Sequence, residues 1–467
     1  MRFGARIATL LGTSVLVLAA CAPQAQAATD PPVDGGTGGG DPYYPAAGNS
    51  GYDVGHYDLA LDYTPATRAL TARAVVDATA TDPLRSFSLD LRGLDVSAVT
   101  VDGAPAAFAQ EAGELVITPA APVADGADFE VDVAYGGTTG QPADPTGALY
   151  GWVSFADGAF VANEPDGAST WYPVNDVPHD KATYTFTVTV PDGTVAVANG
   201  DLESQESADG RTTYRWVADD PQASYLAMAA SGNYVLTEDT GPGGLPIVNA
   251  VDADLDQAAA AAVLARQPAM IEFFTGVFGP YPFGSFGAVV DDDEDPGYAL
   301  ENQTRPIYSG VPDESTVAHE LAHQWVGNKI TPRLWRDIWL NEGFATYAEW
   351  LWAEANGGPT PQQQFDEVYA TPAEDELWTV PPGDPGPAAL FDAAVYDRGA
   401  MTLQALRVTI GDAAFTEVLR QWAGRDQDVP VTTADLVALA EDVSGQDLDP
   451  LFQTWLYTPG KPPAPTP

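Results

Sequence analysis

The chain has 467 residues, 45% of them hydrophobic, enough for two or three domains with substantial cores. Its 66 acidic and 19 basic residues leave a formal charge of −47. Neutralising phosphates takes clustered Lys and Arg, so nucleic acid is excluded as a partner, and such a charge bears on solubility rather than on fold.

The chain opens MRFGARIATLLGTSVLVLAAC. Arg2 and Arg6 precede an apolar run too short for a stable membrane span, so residues 1–21 are expected to be an export signal. Its end, Leu18-Ala19-Ala20-Cys21, resembles the bacterial lipobox, in which the cysteine is lipidated and becomes the mature N-terminus. Cys21 is the only cysteine, which excludes an intramolecular disulfide and a cysteine-rich metal site. The expectation is a cell-surface lipoprotein of a bacterium. The alternative is cleavage after Ala25-Gln26-Ala27, which would release a soluble protein. No later segment reaches 18 uninterrupted apolar residues, so membrane contact is expected only through the N-terminal lipid.

Residues 22–50 are rich in Gly, Pro, Ala and Asp and are expected to form a flexible linker. Over 51–240, runs such as HYDLALDY, FEVDVAY and TYTFTVTVPDG alternate with a period near two between Asp-Gly, Pro and Asn-Gly turns. That pattern predicts an antiparallel β domain. From about residue 249 the period lengthens, and VDADLDQAAAAAVLARQPAMIEFFTGVFG predicts a helix with Asp at its start and Gly past its end. Strand-like SFGAVV and ALENQTRPIYSG follow. Then come two helices, the second stopping near Asn356-Gly357-Gly358, and three more amphipathic helices before the Pro-rich tail 459–467. The run Asp291-Asp292-Asp293-Glu294-Asp295 is read as a solvated face that could favour basic N-terminal residues by long-range attraction.

Residues 319–342, HELAHQWVGNKITPRLWRDIWLNE, carry the chemistry. On a helix His319 and His323 share one face, about 5–6 Å apart at Cβ, so both can reach one zinc ion at about 2.0–2.1 Å. Glu320 lies about 100° around that helix, too far to ligate comfortably but suited to act as a general base. Glu342 follows after 18 intervening residues, within WLNEGFATYAEW. The segment predicts a zinc hydrolase with one Zn2+ per chain.

HELAHQWVGN followed by WLNEGFATY resembles the zinc aminopeptidases of the alanyl aminopeptidase and leukotriene hydrolase type. The likeness extends to WYPVNDVPHDKATYTFTVTVPDGTVAVANGDL at 171–202, and to TGVFGPYPF, YALENQ, VYDRGA and LFQTWLY, all in the family's order over about 52–458. It implies an α+β fold: an N-terminal antiparallel, saddle-like β domain (51–240) followed by a thermolysin-like, mainly helical zinc catalytic domain (241–458). It also implies that His319, His323 and Glu342 are the metal ligands and Glu320 the base. Glu301, in Tyr298-Ala299-Leu300-Glu301-Asn302, corresponds to the family glutamate that holds the substrate's α-amine, and Glu164 to a second glutamate that helps it. Tyr298 stands where the family has Gly and Leu300 where it has Met, which puts the shape of the pocket for the first residue in question. Tyr396 corresponds to the tyrosine that stabilises the tetrahedral intermediate. His56 and His179 lack a partner motif and are excluded as ligands.

The resemblance implies a monomeric zinc aminopeptidase acting on peptides with a free N-terminus. Two alternatives share the zinc motif: an endopeptidase, and a hydrolase of a non-peptide substrate such as an epoxide. A non-catalytic binding lipoprotein is disfavoured, because neither the ligands nor the base is missing.

Overall fold

The computed structural model describes residues 1, 31–140, 150–293 and 297–465. Cys21 and the rest of the expected export signal beyond Met1 lie outside them, as do the linker up to residue 30, Glu294 and Asp295, and the last two residues of the tail. No helix among the described residues is long and apolar enough to cross a membrane.

The N-terminal half is built on an eight-stranded sheet. Its strand order is 201–208, 211–223, 181–191, 52–64, 69–80, 128–138, 95–101 and 104–105. Alternation decides its faces: Leu59, Leu61 and Tyr63 are buried while Asp62 is exposed, and Ala72, Ala74, Val76 and Ala78 are buried while Thr71, Arg73 and Asp77 are exposed. The expected antiparallel pattern has one exception in the middle of this sheet, where Lys181–Pro191 runs parallel to Tyr52–Thr64. Two four-stranded sheets complete this half.

A five-stranded sheet follows, with strands in the order Tyr234–Thr240, Pro246–Asp252, Phe286–Asp291, Ile307–Ser309 and Ala299–Leu300. The middle three run parallel. Both of its faces are covered, as parallel strands require. Tyr234, Ala250, Val289, Leu300 and Ile307 join the core of the β half, whereas Ile247, Val251, Phe286, Ala288, Val290 and Tyr308 join the core of the helical half. The expected boundary at 240/241 is therefore corrected. It would cut the antiparallel pair formed by the first two strands, and the change of architecture falls instead between Gly232 and Tyr234.

The predicted helix from 249 is also corrected. Residues through Asp252 complete a buried strand, and α1 (Gln257–Leu264) starts where Asp256 accepts from the amides of Ala258 and Ala259. The chain breaks at Ala265-Arg266 and restarts as α2 (Gln267–Phe278), with Pro268 in its first turn where no amide is needed. The longer helices that follow are α3 (Glu314–Ala322), α4 (Trp339–Ala355), α5 (Pro361–Tyr369), α6 (Gly399–Ile410), α7 (Asp412–Ala423) and α8 (Thr433–Ser444), and a single turn, Asp449–Phe452, comes after them. Trp325, Trp335, Trp339, Trp378 and Trp422 fill the core among them.

The segment expected to be a flexible linker is held in place over 32–50, and so is part of the tail. Residues 33–34 pair with the strand Leu84–Asp90, and buried Asp41 accepts from the Trp335 amide at 2.7 Å. Buried Asn49 bonds Asn175 and Asp90. Gly39 permits this seating, since a Cβ there would lie 2.1 Å from Val177 Cγ1. The linker assignment is thus corrected for 32–50: a composition that cannot build a core can still be pinned onto one by Asp and Asn side chains. In the tail, the Gly460 amide donates to the Trp378 carbonyl at 2.7 Å and Lys461 lies 4.2 Å from the Tyr369 ring centre.

Asp291 also departs from expectation. It ends a buried strand and accepts from the Tyr234 hydroxyl, and burial pushes its carboxyl up to about 7, so it adds nothing to a solvated acidic face.

Candidate active site

Helix α3 begins where the Asp313 side chain accepts from the Thr316 amide, and it carries His319 and Glu320, with His323 just past its last turn. Glu342 sits in the first turn of α4. The two helices pack so that Glu342 Oε2 lies 3.2 Å from His319 Nε2 and 3.4 Å from His323 Nε2. The imidazoles stand edge to face, with ring centres 4.8 Å apart. Donor atoms of His319, His323 and Glu342 all fall within 4.8 Å of one another. All three residues are at least nine-tenths buried.

The other ring nitrogens are engaged. His319 Nδ1 donates to Glu349 Oε1 at 2.7 Å, and His323 Nδ1 donates to the Val326 carbonyl at 3.1 Å. With Nδ1 engaged as the donor, each Nε2 is the nitrogen left facing Glu342, and in the neutral ring it presents the lone pair a metal ligand needs. Two nitrogens and one carboxylate oxygen at this spacing fit a zinc ion with a fourth position open.

Glu320 is buried beside this set. Burial pushes its carboxyl up to about 8, against the opposing pull of His319 and His323. Glu342 goes the other way: burial alone would raise it, but His323 and His319 hold it at about 2.

Glu301 follows the short strand Ala299–Leu300, and Glu164 follows the strand Ala159–Ala162 of the β half. Both are buried, each with an Oε1 that has no hydrogen-bond partner. Burial raises the carboxyl of each. Glu164 is pushed further by the neighbouring charges of Glu301, Glu342 and Glu320, whereas His323 opposes the rise at Glu301. The Glu301 carbonyl is anchored by Asn328 Nδ2 at 2.7 Å and Gln324 Nε2 at 3.2 Å, both from the loop after α3. Leu300 is buried, and Tyr298 is half-buried against the core of the β half.

Tyr396 lies in a π-helical turn, Ala394–Arg398, that runs into α6, and its ring centre is 6.0 Å from that of His319. Gly343 and Gly399 make this approach possible: a Cβ on Gly343 would sit 2.9 Å from the Gly399 backbone, so α4 and α6 touch main chain to main chain. His56 bonds Thr183, and neither it nor His179 joins the metal-ligating groups found among the described residues.

Glu349, Asn328, Gln324 and Tyr225 escaped the sequence reading. Tyr225 donates to the Gly327 carbonyl at 3.1 Å and accepts from Asn341. Glu349 carried a usable signal, since it follows Glu342 by seven residues on the same helix face. Tyr225 carried none.

Residues 54–226 match the Peptidase M1 N-terminal domain and residues 297–455 the Peptidase family M1 domain. An M1 zinc metallopeptidase from Deinococcus radiodurans has the same fold at a TM-score of 0.85 and 30% identity, over 92% of this chain and 99% of that one. The chain belongs to peptidase family M1. A variant of the D. radiodurans M1 metallopeptidase with a bound Tyr-Ser-Ala substrate matches equally, at TM-score 0.85 and 30% identity over 92% of this chain and 100% of that one. Glutamyl aminopeptidase of Bos taurus is 28% identical over 334 residues, which cover 65% of this chain. This family M1 chain thus matches about a third of that relative's length, 34%.

Proposed function

We propose that this chain is a zinc-dependent aminopeptidase that releases single residues from the free N-terminus of peptides. The observation that carries the reading is the pair Glu164 and Glu301, two buried carboxylates with unpartnered oxygens beside the donor set of His319, His323 and Glu342. Two carboxyls buried side by side resist ionisation unless a cation joins them, and a peptide's terminal ammonium supplies one.

His319, His323 and Glu342 would hold the zinc, which when bound would supply Lewis acidity toward water and the scissile carbonyl. Glu320 takes a proton from the attacking water and passes it to the leaving amine. The Tyr396 hydroxyl donates to the oxygen on which negative charge develops. Glu164 and Glu301 fix the α-amine so that the first peptide bond is the one presented. Exopeptidase character then comes from positioning rather than from different bond chemistry.

The test compares a peptide with its N-acetylated form. Rapid hydrolysis of the first and loss of turnover on the second are expected; equal rates would establish an endopeptidase and remove the amine-binding role. The proposal includes export as a monomeric lipoprotein acylated at Cys21, supported by the Leu-Ala-Ala-Cys sequence. Mass spectrometry of the mature N-terminus tests the acylation, and a start at Ala28 would replace it with free secretion.

A further inference from the structure

Glu164, Glu301 and Glu342 bring three carboxylate oxygens within 4.8 Å of one another, beside the group of His319, His323 and Glu342 and a third in which Glu301 meets Glu320 and His323. Glu164 is 9% exposed and Glu301 2%, and each has a buried Oε1 without a hydrogen-bond partner. An ammonium brings one positive charge to these three carboxyls; a divalent ion brings two. The donor set is all oxygen, which suits a harder cation than the two imidazoles beside it select. Glu342 belongs both to this group and to that of His319 and His323, and a carboxylate can bridge two metal ions about 3.5–4 Å apart.

We propose that this pocket takes a second divalent cation, held by Glu164, Glu301 and Glu342, which shares Glu342 with the zinc and excludes the substrate's α-amine. The inference rests on the reading of this pocket as the amine site. It makes free divalent cation a competitive regulator of the peptidase. Two other groups, Asp252 with Asp254 and Asp292, and Glu441 with Asp447 and Asp449, also bring three carboxylates together but have no orphaned buried oxygen. They remain intact in the variants below and serve as the internal background.

Zinc-loaded protein is titrated with Mn2+ in buffered salt, and bound ion is read from the loss of the free Mn2+ resonance. Wild type should bind one Mn2+ more than Glu164→Gln or Glu301→Gln, while all three keep one zinc by metal analysis. That retained zinc also shows that the variants fold. Leucinamide should release the extra Mn2+ and N-acetyl-leucinamide should not. With an aminoacyl anilide, KM should rise about tenfold when Mn2+ stands at about ten times its dissociation constant, with kcat unchanged. Equal Mn2+ binding by wild type and both variants would overturn the site, and retention of the ion against leucinamide would overturn the competition. If the extra ion is missing but free amines are still preferred over acetylated ones, this inference falls and the aminopeptidase reading stands. If the ion binds while acetylated peptides are cleaved equally well, the aminopeptidase reading falls instead.

Discussion

Glu349 offers the sharpest test of how the zinc donors are held. It sits two turns beyond Glu342 on α4, accepts from His319 Nδ1 at 2.7 Å, and is itself steadied by the Ser315 hydroxyl at 2.6 Å. Glu349→Ala removes the acceptor that fixes both the tautomer and the ring plane of His319. A hydrogen bond to a charged group contributes about 1.5–3 kcal/mol. The Glu349 side chain is 25% exposed, so solvent screening places this one near the lower end. About 1.5 kcal/mol corresponds to roughly tenfold weaker zinc binding, within the range found for partners behind metal ligands. Glu349→Gln keeps a neutral acceptor and should weaken binding less than Glu349→Ala does. The assay is a zinc dissociation constant from competition with a chelator of known affinity, with kcat measured separately at saturating zinc. Wild-type zinc affinity in Glu349→Ala would refute the reasoning, because His319 would then need no support from α4.

Glu320→Gln should keep its zinc by metal analysis and lose about 10²–10⁴-fold in kcat; wild-type turnover would remove Glu320 as the base. Tyr396→Phe should lower kcat about 10²–10³-fold with little change in KM, and an unchanged kcat would leave Tyr396 a packing residue. Burial pushes Asp176 and Asp180 up to about 7, above the ordinary unfolded value near 4, so their stabilising contribution is full below about pH 4 and is lost as pH rises toward 7. The slope is at most about 1.4 kcal/mol per pH unit for each group, and Asp180→Asn should flatten the fall in melting temperature over that range. A decline as steep as the wild type's would contradict it.

The site was more legible than the fold around it. His319, Glu320 and His323 announce themselves because a metal site needs particular atoms at fixed helical spacing, and spacing along a helix is written directly in the chain. Glu349 could have been found by the same periodicity carried one step further. Segments 286–291 and 299–309 read as strand-like, but the parallel strand 246–252 was harder. A strand buried on both faces has no alternation to display, and Val248 to Val251 merged with the polar start of a helix. The segment 32–50 misled for the opposite reason. Its Gly-rich composition describes what it cannot do alone, whereas Asp41 and Asn49 find their partners only in the folded body.

The proposed amine pocket is divided between two halves, which gives a physical reason for the ties around it. Glu164 comes from the β half, while Glu301 comes from the five-stranded sheet between the halves. A shift between them of an ångström would separate the two carboxylates proposed to meet one ammonium together. The segment after Glu301 is accordingly fastened on both sides. Asn199 donates to the Gln303 carbonyl at 2.6 Å and the Gly200 amide to the Thr304 hydroxyl at 2.9 Å from the β half, while Gln324 and Asn328 hold it from the helical half. Lys181, at the start of a central strand of the large sheet, donates to the carbonyls of Asn328 and Lys329 at 2.8 and 2.7 Å. Burial brings its ammonium down to about 7, a cost that a merely decorative contact would not sustain. The loop after α3 thus supports both His323, through the Val326 carbonyl, and Glu301, through Asn328. The proposed zinc and amine sites share a single mechanical support, so a substitution that loosens this loop should weaken both together.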